Sequence, residues 1–147
     1  MHPYPHLYAA SAAGAPGGVV AVASPTLPDI ETAPPPEFDG PGGLWSPETL
    51  LCAAVANCYI LTFRAVSRAG RLEWRTLECR VEGTLERVDN QAQFTRFATS
   101  AKLTVPAGTD AARARELLER AEAVCLVSNS LRGVRTLAVE VLEALPA

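Results

Sequence analysis

The sequence predicts an α+β fold, and three observations carry that prediction. A long, almost uncharged apolar segment opens on a helix start signal, Ser46-Pro47-Glu48. Strict alternation of apolar and polar residues runs through Thr76–Arg87. A charged stretch after Asp110 then carries Leu117, Leu118, Ala121 and Val124 at helical spacing. The predicted order is strands, long helix, antiparallel pair, helix, strand. At 147 residues and 48% hydrophobic content, the chain suits a single domain with a real core. Within residues 1–147, we expect an N-terminal hairpin (1–24), a Pro/Gly-rich loop (25–43) and the core that bears the motifs (44–147).

In the hairpin, HLYAASAA and VVAVAS flank the turn cluster Gly14-Ala15-Pro16-Gly17-Gly18. Pro25–Gly43 holds six prolines and three glycines in nineteen residues, which excludes helix and central strand. Ser46 supplies an N-cap, Pro47 suits the first turn, and the Glu48 carboxylate meets the positive end of the helix dipole. The helix should run to about Ala69 with Gly70 as its C-cap. Its first half is apolar nearly all round, which calls for burial on all sides. A chain this small needs a second copy to enclose it. In Thr76–Arg87, Leu77, Cys79, Val81 and Leu85 share one face. Asp89-Asn90 turns the chain into Phe94–Val105. Thr109 or Asp110 caps the next helix, and a short helical turn should follow Cys125. Arg135–Leu142 is the last strand.

A net charge of −3 argues against nucleic acid as the main partner. The charge is segregated. Residues 1–63 contain five acids and no Lys or Arg, giving −5; the remainder has eleven acids and thirteen bases, giving +2. The start MHPYPHLYAA has neither a basic n-region nor a clean apolar h-region, so we expect a cytoplasmic protein. The uncharged run Leu50–Phe63 is fourteen residues, shorter than the roughly 20 that span a bilayer, so no membrane is expected. A metal is not expected either, because CxxC is absent and both histidines, His2 and His6, lie in the Pro-rich start. In the charged helix, Arg115–Glu119 and Glu116–Arg120 are expected to pair across a solvated face. Glu122 belongs to that face.

Four cysteines in a reducing compartment are more often free, catalytic or metal-bound than structural. Cys79 shares an apolar strand face and reads as packing. Cys52 and Cys58, six apart on one helix, are separated by ~120° and ~9 Å and cannot bond within it. Cys58 and Cys125 lie 67 residues apart, each flanked by small polar groups: Asn57 and Thr62 for one; Ser128, Asn129 and Ser130 for the other. They are either a buried redox pair or two small hydrophobes, and spacing does not decide between these.

Three motifs resemble the family of osmotically inducible protein C and the organic hydroperoxide resistance proteins (OsmC/Ohr). Ser46-Pro47-Glu48-Thr49-Leu50-Leu51 resembles its N-P-E-x-L stretch, and Ala56-Asn57-Cys58-Tyr59 its A-x-C-[FY] on the same helix. Cys125-Leu126-Val127-Ser128-Asn129-Ser130-Leu131 resembles its C-P-x-S-N-[AS]-L. The likeness covers roughly residues 38–142. It implies an intertwined homodimer with antiparallel sheets around long central helices and active sites at the interface. It also implies a thiol peroxidase that reduces organic hydroperoxides in oxidative-stress defence. By position, Cys58 would be the peroxidatic thiolate, Cys125 the resolving thiol and Glu48 the interface carboxylate. Glu48 lies ten residues before Cys58, ~15 Å along the helix, so it would act on the other subunit's cysteine. Tyr59, Trp45, Phe38, Ser128 and Asn129 are the candidates for substrate contacts. No metal, flavin or haem is implied; an external dithiol such as dihydrolipoamide would regenerate the enzyme.

Two departures stand out. Family peroxidases use an N-terminal arginine to activate the thiolate, yet no Arg precedes Arg64, and Glu37-Phe38 stands where that Arg would be expected. Arg132, Arg135 and Arg96 are the alternatives. Leu126 also replaces the usual Pro. A second reading is therefore carried alongside: an OsmC-like homodimer without peroxidase activity that binds a small apolar ligand or senses redox state. An unrelated α+β domain whose cysteines only pack is the third.

Overall fold

The computed structural model describes residues 1–146 and confirms an α+β chain. It forms two compact units, Met1–Leu50 and the residues from Leu51 onward.

The first unit is a three-stranded antiparallel sheet of β1 (Ser11–Ala13), β2 (Val20–Ala23) and β3 (Ile30–Thr32) in that order. β1 and β2 form the expected hairpin, with Ser11 opposite Ala23 and Ala13 opposite Ala21. β3 corrects the reading of residues 25–43 as loop throughout. It is a three-residue edge strand, with Val22 opposite Ile30, and edge placement is what nearby prolines permit. A 3-10 turn over Pro36–Phe38 follows. Gly40 then passes so close to the Pro34 carbonyl that a Cβ there would lie 1.7 Å from its oxygen. The segment is thus folded onto itself. Ala33 N–H donates to the Trp45 carbonyl at 3.0 Å, tying the start of the helix to the sheet.

Helix α1 (Pro47–Ala69) begins in this unit and continues into the second. Its start is closed reciprocally. Thr49 N–H donates to Ser46 Oγ at 3.1 Å, and Ser46 N–H donates to Thr49 Oγ1 at 2.9 Å. This is a capping box with threonine in the place usually held by Glu or Gln. At the far end, Gly70 N–H bonds to the Val66 carbonyl, but the left-handed residue is Arg71, at φ 53. Gly70 serves packing instead of a left-handed cap: a Cβ there would sit 2.8 Å from Leu117 Cδ1.

In the second unit, β4 (Thr76–Val88) and β5 (Gln91–Val105) form a long hairpin. Asp89 and Asn90 both adopt positive φ (49 and 64), as the tight two-residue hairpin turn requires. α2 (Ala111–Ala123), capped by the Asp110 carboxylate accepting from Arg113 N–H, and the short α3 (Leu126–Asn129) lead to β6 (Val134–Glu143). β6 pairs with β5 in parallel, from Arg96 opposite Val134 to Val105 opposite Glu143. The expectation of wholly antiparallel sheets is corrected here. A helical crossover delivers β6 in the direction of β5.

The core of this unit lies between the sheet and the helices, built from Tyr59, Phe63, Leu77, Leu103, Leu117 and Leu118 among others. On α1 only Val55, Tyr59, Phe63 and Ser67 are buried, a single stripe at four-residue spacing. The all-round burial expected for this helix is therefore not achieved within one chain; Leu61, for example, is half exposed. By length and composition alone α1 is long and apolar enough to cross a membrane, with 22% of its most apolar stretch buried. Tyr59 and Phe63 of its buried stripe pack into the core described above.

Candidate active site

Cys58 sits on α1, one residue before the buried Tyr59, and is partly exposed. Cys125 sits at the N-cap of α3, in extended conformation (φ −65, ψ 110), and is 1% exposed. The crossover from α2 brings the two thiols near enough for the Cys125 side chain to act on that of Cys58. Both are free. Burial works to raise the Cys58 thiol, and the opposing groups outweigh it. They are the Val127 N–H, the Cys125 side chain, the Thr62 hydroxyl and the Leu126 N–H, and they hold the thiol below its ordinary value. All are neutral donors. Thr62 Oγ1 lies 3.8 Å from Cys58 Sγ. Ser128 Oγ donates to Cys125 Sγ at 3.5 Å.

The Cys125 turn is clamped by residues that sequence reasoning assigned elsewhere. Arg135 Nε donates to Glu122 Oε1 at 2.6 Å, its Nη2 to the Glu122 carbonyl at 2.5 Å, and its Nη1 to Asn129 Oδ1 at 2.7 Å. Asn129 Nδ2 in turn donates to the Ala123 carbonyl at 3.2 Å. Glu122 is thus a bracing residue of the turn; its ion pair with Arg135 is three-quarters buried. On the solvated face of α2 the pair that forms is Arg113–Glu116 at 2.7 Å, while Arg115 donates to the Val139 carbonyl. The spacing of Glu122, Asn129 and Arg135 across α2, α3 and β6 gave no local signal of this clamp.

The clamp also decides among the candidate activating arginines. Arg135 is committed to Glu122 and Asn129, Arg96 is exposed on β5, and Arg132 lines a cavity of about 150 Å³ with Phe94 and Phe97. Among the described residues, no guanidinium is one of the groups that act on Cys58.

Of the candidate substrate contacts, Tyr59 is corrected to a core residue. It is 1% exposed, and its hydroxyl donates to the Leu118 carbonyl at 3.0 Å, beneath α2. Ser128 and Asn129 organise the Cys125 turn with their polar groups already engaged. Trp45 is half exposed. Phe38 lines a largely apolar cavity of about 470 Å³ in the first unit with Val20, Val22, Pro34 and Glu48. Glu48 Oε2 is buried there without a hydrogen-bond partner.

The remaining cysteines pack. Cys52 Sγ lies against Gly83, where a Cβ would come within 2.9 Å of it. Cys79 is partly buried, and its thiol is pushed up to about 11 by burial and by the Cys125 charge. Among the described residues, no group of three or more His, Cys, Asp or Glu side chains is placed to hold a metal ion.

Comparison with known proteins shows the family and the fold. The sequence profile of the family described as OsmC-like protein matches residues 40–140. YmaD of Bacillus subtilis, an uncharacterised protein, is 28% identical over 102 residues, covering 67% of this chain and 68% of its own length. An organic hydroperoxide resistance protein of Legionella pneumophila superposes with a TM-score of 0.72 at 24% identity, over 95% of this chain and 99% of the other. An OsmC-like protein of unknown function from Vibrio cholerae gives 0.81 at 12% identity, over 94% and 100%. The matched residues 40–140 include Glu48, Cys58 and Cys125.

Proposed function

Since the chain belongs to the OsmC-like family, we propose that it is a thiol-dependent peroxidase for organic hydroperoxides, with Cys58 as the attacking sulfur. The observation that carries this reading is the Cys58 thiol, held below its ordinary value with the Cys125 side chain among the groups that lower it. A thiolate is the nucleophile such chemistry requires. The Cys58 thiolate attacks one peroxide oxygen of ROOH; the O–O bond breaks, and the departing alkoxide takes a proton and leaves as alcohol. Cys58 becomes a sulfenic acid. The Cys125 thiol then attacks the Cys58 sulfur, an S–S bond forms, and the sulfenic oxygen leaves as water. A small dithiol such as dihydrolipoamide restores both thiols and is itself oxidised to its disulfide. Cys58 is partly exposed and Cys125 sealed, which suits a sulfur that meets substrate and one that meets only its partner.

The reading includes a homodimer in the cytoplasm. Only 22% of the most apolar stretch of α1 is buried in one chain, and burying apolar surface is the main driving force for association. The unpartnered Glu48 oxygen favours the same arrangement, since a buried acceptor without a donor is costly. In the dimer Glu48 serves the other subunit's site, with Phe38 and Trp45 beside the substrate.

The test is consumption of cumene hydroperoxide with dihydrolipoamide. Cys58→Ser should abolish turnover, and Cys125→Ser should allow one turnover before Cys58 over-oxidises to sulfinic acid. Turnover that survives Cys58→Ser refutes the assignment. A second reading, a redox sensor without turnover, is favoured because no cation among the described residues is one of the groups acting on Cys58. It predicts one-equivalent oxidation to the Cys58–Cys125 disulfide with no catalytic cycling.

A further inference from the structure

The apolar cavity of the first unit holds a buried acceptor that no donor reaches, and the two features together describe a ligand. We propose that this cavity binds a primary ammonium ion on an apolar body, an alkylammonium or arylalkylammonium, with Glu48 receiving the charged head. This goes beyond the peroxidase reading and does not rest on the chemistry of Cys58.

At about 470 Å³ the cavity falls within the size range of small-molecule sites. All of its lining residues belong to Met1–Leu50. β2 contributes Val20 and Val22, and the proline-rich segment contributes Pro34 and Phe38. That segment is fixed before any ligand arrives. Phe38 N–H donates to the Pro35 carbonyl at 2.9 Å, and Gly40 N–H donates to the same carbonyl at 3.0 Å. Proline locks φ at residues 34 and 35, so little backbone freedom is left to lose on binding. Thr32 also lines the cavity, but its hydroxyl donates to the Val20 carbonyl at 3.2 Å and is not available to Glu48.

Among the described residues that line the cavity, Glu48 is the one charged group. Its Oε2 is sealed from solvent, and a sealed acceptor carries a desolvation cost that a donor would remove. The surrounding chain is poor in such donors. Residues 1–50 contain five acids and no Lys or Arg, so the field of this unit draws cations and repels anions. A hydroxyl would satisfy Oε2; an ammonium does so through a charge-assisted bond, roughly twice as strong. Phe38 adds a second feature suited to a cation. Its ring lines the cavity and is 53% exposed, and an aromatic face attracts an ammonium through its quadrupole. A carboxylate in the same place would meet only repulsion from Glu48.

The test titrates the full-length protein with hexylamine, 1-hexanol and hexanoate, three probes of one chain length, at neutral pH. Calorimetry gives the affinities and amide chemical shifts give the location. Hexylamine should bind about tenfold more tightly than hexanol, and hexanoate more weakly than either. The shifts should centre on Val20, Val22 and Phe38. Glu48→Gln should lower hexylamine to the affinity of hexanol while hexanol still binds, which shows that the variant is folded. Ala12→Leu adds bulk at the cavity lining and should weaken both probes. Equal affinities of hexylamine and hexanol for wild type overturn the proposal, as does unchanged hexylamine binding in Glu48→Gln. Shifts confined to outlying acids such as Asp29 and Glu31 overturn it as well. So does the absence of saturable binding because a second copy fills the cavity. Peroxide and Cys58 take no part in these measurements, so loss of the peroxidase reading would leave them intact.

Discussion

Replacing Arg135 with methionine keeps most of the side-chain stem and removes the fork that braces the Cys125 turn. Three contacts go: to the Glu122 carboxylate, the Glu122 carbonyl and Asn129 Oδ1. Hydrogen bonds involving a charged group contribute ~1.5–3 kcal/mol each. The side chains of the pair remain 25% and 22% exposed, which places the ion pair between the surface and buried limits. A loss of about 2–3 kcal/mol is expected, most of it from leaving Glu122 partly buried without a partner. For a chain of this size that lowers Tm by roughly 5–10 °C. Urea unfolding of wild type, Arg135→Met, Glu122→Gln and the double variant at one protein concentration measures it. If the clamp is real, the double variant costs less than the sum of the single ones by about 1 kcal/mol. In the peroxidase assay, Arg135→Met should also raise the fraction of Cys58 that over-oxidises, since a looser turn delivers Cys125 more slowly. Stability within about 0.5 kcal/mol of wild type, with strict additivity, would refute the bracing role.

The thiols should separate by pH. Alkylation at pH 8 should reach Cys58 and spare Cys79, whose thiol is pushed up to about 11. Because Cys79 is raised from 9.0, its contribution to stability is complete below pH 9 and lost as pH rises towards 11; urea midpoints across that window check the sign. Gly83→Ala should destabilise by ~1–3 kcal/mol, because its Cβ would meet Phe94 Cε1 at 2.8 Å and Cys52 Sγ at 2.9 Å. Calorimetry would show it. Tyr59→Phe should cost ~1 kcal/mol through the lost bond to Leu118, with peroxide turnover retained; a large change in KM with unchanged stability would return Tyr59 to the substrate path.

Much of the fold was legible because its signals are local. Alternation at Leu77, Cys79 and Val81 marks a strand, and Ser46-Pro47 marks a helix start, whatever lies elsewhere. The parallel direction of β6 was not legible, since it is set by where a crossover lands. β3 was hidden by prolines that forbid a central strand but tolerate an edge. Gly70 suggested a left-handed cap by composition, yet its smallness serves the approach of Leu117. The proximity of Cys58 and Cys125 became an expectation only through motif resemblance, because 67 residues of chain separate them. Glu122 was assigned to solvent because a helical face says nothing about an arginine arriving from another strand.

The reciprocal bond between Ser46 and Thr49 has a practical result. In the common form of this cap a glutamate is spent on closing the first turn; here a hydroxyl performs that duty. The acidic side chain beside it is thereby released from capping, and its charge can be altered without opening the reciprocal bonds of the first turn. An isosteric exchange to glutamine at residue 48 keeps the cap and removes only the carboxylate's charge at the helix's positive end.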